Sequence, residues 1–342
     1  MSKKQIGKRL LVLLFFLAFS IDTTASAHHG GEGLTGVGVA GPIITIPAYT
    51  LPKKVKYINL LTDYTNFNTF SDQKLIELDK RGEHIHDTAN LFIPGIGAGY
   101  GLTDDLTLGF RLPYIFRYNI RDIHEAHVGK SGNSIGIGDL TLFAQYRFLK
   151  NEKHNLHAAL LTGLKIPTGV RRTKGNDGEI FEADEQPGSG SWDPLIGLAV
   201  SKKVGNFSFH TNGFYKFVTN GSQGSNLGDV VNYNLAASYR VNNNWIYNLN
   251  ENWQNNNQKD KLSFDLILET NGTWSQKPNT FHGFVDENHG GNIIFLSPGF
   301  RCSYDKKWIY YISAGFPIIE NLNGRQRAPD IRLVGGITRV FK

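Results

Sequence analysis

The chain has 342 residues, with 36 Lys+Arg against 30 Asp+Glu for a formal net charge of +6, and 12% of it is aromatic. Its one cysteine, Cys302, excludes a disulfide scaffold. The aromatic content and small net charge exclude a disordered chain, and a mean hydropathy of −0.28 excludes a bundle of membrane helices.

Residues 1–27 read as a secretory signal peptide. Lys3, Lys4, Lys8 and Arg9 form the positive n-region, and Leu10 to Phe19 is an apolar run too short to span a bilayer as a helix. Ala25-Ser26-Ala27 supplies the small-residue cleavage pattern, so the mature chain is expected to begin at His28. Without the leader the balance is 32 positive against 29 negative residues, a net charge of +3. Half of the basicity therefore belongs to export, and nucleic acid is not an expected partner of a translocated chain. Residues 28–52 are expected to form either a periplasmic tail or a segment folded back into the body that follows. They lead with glycine at Gly30, Gly31 and Gly33 and run into Pro42-Ile43-Ile44-Thr45-Ile46-Pro47.

Residues 53–342 carry period-two alternation. Leu106, Leu108, Phe110, Leu112, Tyr114, Phe116 and Tyr118 share one face, opposite Thr107, Gly109, Arg111 and Arg117. The same pattern recurs over 136–148, 231–241 and 262–274. Strands are expected near 56–68, 87–101, 104–119, 135–149, 154–168, 192–204, 206–219, 229–241, 262–275, 292–304, 307–318 and 329–341. Most exceed the roughly 5–6 residues common in soluble sheets. Ionised groups sit in mid-strand on the non-apolar face, where a packed core would reject them. Connections alternate long (69–86, 120–134, 169–191, 220–228, 276–291, 319–328) and short (around Thr103, Asn151 to Lys153, Gly205 and Asp305-Lys306). That rhythm belongs to a closed antiparallel transmembrane β-barrel of 12 strands in a Gram-negative outer membrane. Closure follows because lipid offers the backbone no hydrogen-bond partner. One connection breaks the rhythm: Asn242 to Lys261 is read as a long periplasmic hairpin extension, with 14 strands as the alternative. Tyr100, Tyr114, Tyr118, Trp192, Trp274, Tyr304, Trp308 and Tyr310 fit interfacial girdles. The last strand ends on Phe341-Lys342, with Arg339 interrupting its apolar face.

Gly136-Ile137-Gly138-Asp139-Leu140 with Tyr146-Arg147-Phe148, Gly163-Leu164-Lys165-Ile166-Pro167-Thr168-Gly169, Gly290-Gly291-Asn292 and Phe295-Leu296-Ser297-Pro298-Gly299 carry a resemblance. The chain resembles the outer-membrane proteins grouped under a MetA pathway of phenol degradation. The resemblance covers most of the mature chain and implies a barrel that takes up aromatic or other small compounds. It brings no functional residues with it, and the stretch Asn242–Lys261 departs from its pattern.

Enzyme signatures are weak. Gly95-Ile96-Gly97-Ala98-Gly99 lies in a strand and cannot cradle a phosphate. His124-Glu125-Ala126-His127 is one residue short of zincin spacing. Ser208 and His210 share a strand face and leave an outer-membrane hydrolase as a lesser alternative. Parity assigns to the lumen the cations Arg111, Arg117, Arg147, Lys165, Lys216, Arg240, Arg301 and Arg332, and the acids Asp139, Asp265 and Glu269. That excess predicts a passive channel favouring anionic or neutral solutes, unless the charges pair into a network that fills the barrel. His84, His86, His124 and His127 are candidate transition-metal ligands in expected external loops. The alternatives to a channel are a metal-capturing protein using them and a surface-binding protein or adhesin using loops 169–191 and 276–291. No cofactor is expected; the expected partners are the lipid bilayer, the barrel-assembly machinery and a small-molecule solute.

Overall fold

The computed structural model describes residues 41–81, 87–124, 127–241, 262–279, 284–305 and 307–341. Thirteen strands form one antiparallel sheet: β1 (Lys56–Phe67), β2 (Asp87–Gly101), β3 (Leu106–His124), β4 (His127–Ile137), β5 (Leu140–Asn151), β6 (Leu156–Ile166), β7 (Asp193–Val204), β8 (Phe207–Lys216), β9 (Val230–Arg240), β10 (Leu262–Ser275), β11 (Gly291–Tyr304), β12 (Trp308–Leu322) and β13 (Pro329–Phe341). The sheet closes because β1 pairs with both β2 and β13 and β2 continues to β3.

Thirteen strands occupy twelve wall positions. The first part of β3 pairs with β5, while its second part pairs with β4. Thus β4 and β5 stack along one position, broken at Gly138 and Asp139. Pro113, opposite the break, has no N–H to give the ladder, and its carbonyl accepts from Gly138 instead. The expected 12-stranded closed barrel is what forms. β9 pairs directly with β10 in the wall, and the hairpin extension expected at 242–261 lies outside the described residues.

One expected loop needs correction. Residues 120–134 continue as strand, with β3 running to His124 and β4 returning from His127. This hairpin stands above the lipid belt, where an outward face need not be apolar, so the alternation that marks the other strands is missing there. A bulge at Asn119, whose φ is 57°, shifts the register as the hairpin leaves the wall. The long connection after β1 carries the helix α1 (Asp72–Asp79). Ser71 caps it by accepting from the Lys74 N–H, and Leu75 and Leu78 pack with Phe70 and Val128.

Alternation sorts the wall. Ile58, Leu60, Phe110, Leu198, Leu235, Leu266 and Ile312 point outward and are exposed, Ile312 to 60%. Tyr100, Trp192, Tyr304, Trp308 and Tyr310 are exposed at or beside strand ends, and Tyr114 is exposed midway along β3 opposite the end of β4, at the two rims of that apolar belt. Inward positions are buried, and residues 41–52 lie among them: nearly all of this segment is buried against the inner wall.

Candidate functional site in the barrel interior

All eleven residues assigned to the lumen by parity are buried on the inner face. They are not spread as free charge. Asp265 on β10 faces Arg240 of β9 on one side and Arg301 of β11 on the other, in register across three strands. Arg240 Nη2 donates to its carboxylate at 3.0 Å and Arg301 Nε at 2.7 Å. Arg332 of β13 pairs with Asp63 of β1 at 2.5 Å, across the seam where the barrel closes. Arg147 pairs with Asp105 in the short turn before β3 at 2.7 Å. Lys165 sits 2.6 Å from Asp193 and 3.5 Å from Asp139.

Asp63, Asp105 and Asp193 were not among the assigned acids. The parity that found Asp265 also marks Asp63 and Asp193, since each shares the inward face of its strand with buried neighbours. On the wall the balance becomes eight cations against Asp63, Asp87, Asp139, Asp193, Asp265 and Glu269. The positive excess remains but is smaller than the sequence implied, and much of it is neutralised in pairs.

Two stretches of chain enter the interior. From the short-turn end, residues 41–52 rise to mid-barrel and return. Arg301 donates to the Gly41 carbonyl at the entry. Glu269 accepts from the Ile44 N–H at 3.0 Å and the Thr45 N–H at 2.9 Å, so a carboxylate is seated on two adjacent amides. Asn212 accepts from Ile46, Ser201 from Ala48 and Thr107 from Leu51, each at 2.8 Å. The Gln145 side chain donates to the carbonyls of Pro47 and Tyr49 at 2.6 and 3.1 Å. Wall side chains thus take the place of a neighbouring strand in satisfying this backbone. The side chains find apolar seats. Ile46 and Ala48 pack with Leu161, Leu195 and Phe214, Ile43 and Ile44 with Leu61, Ile267 and Val334, and Leu51 with Tyr57 and Ile309. Gly299 makes the fit possible, because a Cβ there would stand 2.6 Å from Ile43 Cδ1.

From the opposite end, the loop between β6 and β7 folds inward. Asp139, at the break between β4 and β5, accepts from the Gly169 N–H at 2.9 Å and from the Ser189 N–H and hydroxyl at 2.8 and 2.6 Å. Lys165 donates to the same Ser189 hydroxyl. Arg117 donates to the Asp184 carbonyl at 3.0 Å. Phe181, Glu185, Gln186 and Ser189 are buried in consequence.

His289, just before β11, clips this loop to the one between β10 and β11. Its Nε2 lies 3.3 Å from Asp184 and its Nδ1 bonds Asp286. A cavity of about 150 Å3 opens beside it, lined by Glu182, Asp184, Gln223, Asn279, Asp286 and others. Burial alone lowers the imidazole pKa, but the hydrogen bonds and charges of Asp184 and Asp286 outweigh it and hold the group at about 10. Asp286 is held below the usual carboxylate range by the same partner, against the opposing effect of burial. The sign follows from linkage. A histidine whose folded pKa is raised contributes fully below its unfolded value near 6.5 and loses that contribution as pH rises towards about 10. We therefore expect hydrogen exchange in the 167–192 loop to accelerate between pH 7 and 10 in the native protein. His289→Gln should show fast exchange already at pH 7 and a flattened pH response; a wild-type rate that rises only with the chemical exchange rate would refute the clip.

Other sequence candidates fall apart or lie elsewhere. His210 bonds Ser201, with Nδ1 2.8 Å from its hydroxyl, and not Ser208. Tyr49 of the inserted segment packs edge-on against that imidazole. The proposed Ser208–His210 pair is not formed. His84 and His86 lie outside the described residues, and His124 and His127 pair in register at the tip of the β3–β4 hairpin. Among the described residues no cluster of three His, Cys, Asp or Glu side chains is placed to hold a metal ion.

Only a bilayer reconciles a closed wall that is apolar outside with an interior that is polar and ion-paired, and the chain is an outer-membrane β-barrel of the Gram-negative type. It belongs to the family described as "Putative MetA-pathway of phenol degradation", whose family model matches residues 85–321. Among solved structures it is similar to an outer membrane channel from Pseudomonas putida F1, with 17% identity, 86% of this chain and 98% of that chain covered, and a TM-score of 0.58. Weaker likenesses include the NanC porin (8% identity, 82% and 98% covered, TM-score 0.45) and LpxR from Salmonella typhimurium (12% identity, 83% and 100% covered, TM-score 0.41). No curated protein sequence matches the chain.

Proposed function

We propose that the protein is a passive outer-membrane channel for small solutes, closed in this conformation by residues 41–52 from the periplasmic side and by the 167–192 loop from outside. One observation carries the reading: the middle of the barrel is filled by residues 41–52, a stretch of chain that runs into the wall at its β1 end and is held by wall side chains. A bore wide enough to admit an extended chain with its side chains admits a small solute once that chain moves. In this reading the segment is a plug, and it enters from the periplasm because the termini and short turns lie there.

The solute class is small and neutral or anionic, favoured by the residual excess of cations on the wall. The family's description links it to phenol degradation, which makes aromatic compounds the first cargo to assay. We read the protein as a channel and not an enzyme, since the Ser201–His210 contact is covered by Ala48 and Tyr49. The mature chain in planar bilayers is expected to give discrete openings whose reversal potential in a salt gradient favours anions. Folded protein that never conducts would overturn the channel, and a clear cation preference would overturn the assignment of solute charge.

A further inference from the structure

Arg339 is an anomaly of the outer surface. It points outward from β13, two residues before the strand ends, on a face otherwise made of Leu333, Ile337 and Phe341. Its guanidinium lies 4.6 Å from the Trp308 ring centroid and 5.6 Å from that of Phe341, so it is held between two aromatic rings. Trp308 is its direct partner in register on β12, and Ile58 is its partner on β1. Lys56 faces outward beside it on β1, opposite Phe341. Among the described residues neither cation has an acidic partner.

An uncompensated arginine on a lipid-facing strand is tolerated near an interface and costly at the bilayer centre. Position and rim aromatics place Arg339 at the periplasmic interface, where the chemistry on offer is the phosphodiester of a lipid headgroup. The surface above it has a matching shape. Gly335 stands four residues nearer mid-membrane on the same outward face, between Thr62 of β1 and Ile312 of β12, and a Cβ there would meet no atom closer than 3.5 Å. The missing side chain leaves a notch flanked by Leu60 and Ile312, both outward and exposed.

We propose that Arg339, Lys56, Trp308 and Phe341 form a phospholipid site at the seam where the first and last wall strands meet. The headgroup phosphate sits on Arg339, Lys56 favours an anionic lipid, and an acyl chain lies over Ile337 in the notch at Gly335. The site is independent of conduction, because it is on the outside of the wall.

The test is native mass spectrometry of the detergent-purified mature protein titrated with phosphatidylglycerol, phosphatidylethanolamine or inorganic phosphate alone. Heat-modifiable gel migration would confirm that each variant is folded. The wild type should retain one phosphatidylglycerol at low lipid, with weaker retention of phosphatidylethanolamine and no lipid displacement by excess phosphate. Arg339→Gln should weaken retention by about fivefold or more, the size expected for a cation lost at a membrane surface. Arg339→Lys, which keeps the charge but loses the planar stack, should fall between the two. Lys202→Gln removes an exposed cation from another strand near the same rim and should change nothing. Equal losses in Arg339→Gln and Lys202→Gln would reduce the effect to general surface charge and overturn the site. Unchanged retention in Arg339→Gln, or inorganic phosphate competing as well as lipid, would overturn it too.

Discussion

Deleting residues 41–51 is expected to raise single-channel conductance several-fold and to leave a folded barrel. The wall does not depend on the segment for its ladder: every wall strand but β4 is paired on both sides by other strands, and the second side of β4 takes backbone bonds from Val170 and Asn176 of the β6–β7 loop. What the deletion uncovers is largely polar: Glu269, Asn212, Ser201, Gln145 and Thr107 lose the backbone they hold and meet water instead. Ile267, Leu161, Leu195 and Phe214 lose apolar neighbours, so some stability goes with the segment. Planar-bilayer recording of the deletion beside the intact chain is the measurement. Unchanged conductance would show that the segment does not obstruct the path.

A point variant grades the same argument. Glu269→Gln keeps the shape but presents the Ile44 and Thr45 amides with a neutral oxygen in place of a carboxylate, and charge-assisted bonds are roughly twice as strong. It should open more often than the wild type with the same open-state conductance. The segment is anchored differently on its two sides. At its β1 end Thr50, Leu51 and Lys53 are tied to Thr107 and Asp104 and run directly into β1. On the β8–β10 wall, Asn212 Nδ2 and Asn271 Oδ1 are buried without hydrogen-bond partners. Unpartnered buried groups weaken an interface, so opening should begin there.

The strand count and the wall order were legible because a barrel in lipid imposes one rule on every spanning strand: apolar out, polar in. Where that rule stops, legibility stops. The β3–β4 hairpin lacks an apolar outward face because it stands clear of the membrane, and it read as a loop. The partners of the inward cations were half visible: Asp265 and Glu269 lie on one strand with a clean alternation, whereas Asp63 and Asp193 lie on strands that turn more apolar residues inward, Tyr57 and Leu61 on β1 and Leu195 and Ala199 on β7, which blurs the pattern. The seating of residues 44–51 could not be read at all. It depends on Gln145, Asn212, Ser201 and Thr107, which are ordinary polar residues of inner strand faces until a second chain is laid against them. The His289 clip was equally hidden, because Asp184 and His289 are 105 positions apart and meet only when two long loops fold over one mouth.

Asp265→Ala is expected to be the most destabilising single substitution in the wall, by about 3–5 kcal/mol, because it strands buried charge instead of merely deleting a contact. Arg240 and Arg301 flank Asp265 in one row and are as buried as the carboxylate they share. Without it two guanidinium groups face each other inside the barrel with their common counter-charge gone. Asp265→Asn should fare little better, since the amide keeps an acceptor oxygen but no charge. Replacing all three residues together with apolar ones of similar size should recover most of the loss, because a removed ion-pair network also removes its own desolvation penalty. Urea unfolding in vesicles, or the heat-modifiability midpoint on gels, would rank the three variants. Lys74→Ala on α1 provides the contrast, as its pair with Glu77 is exposed and should contribute nothing measurable. The row also reaches the plug, for Arg301 donates to the Gly41 carbonyl where the segment enters. Protein that still folds after Asp265→Asn should therefore open more readily than the wild type. Loss of stability with wild-type gating would separate the wall from the plug and show that Arg301 does not hold the segment in place.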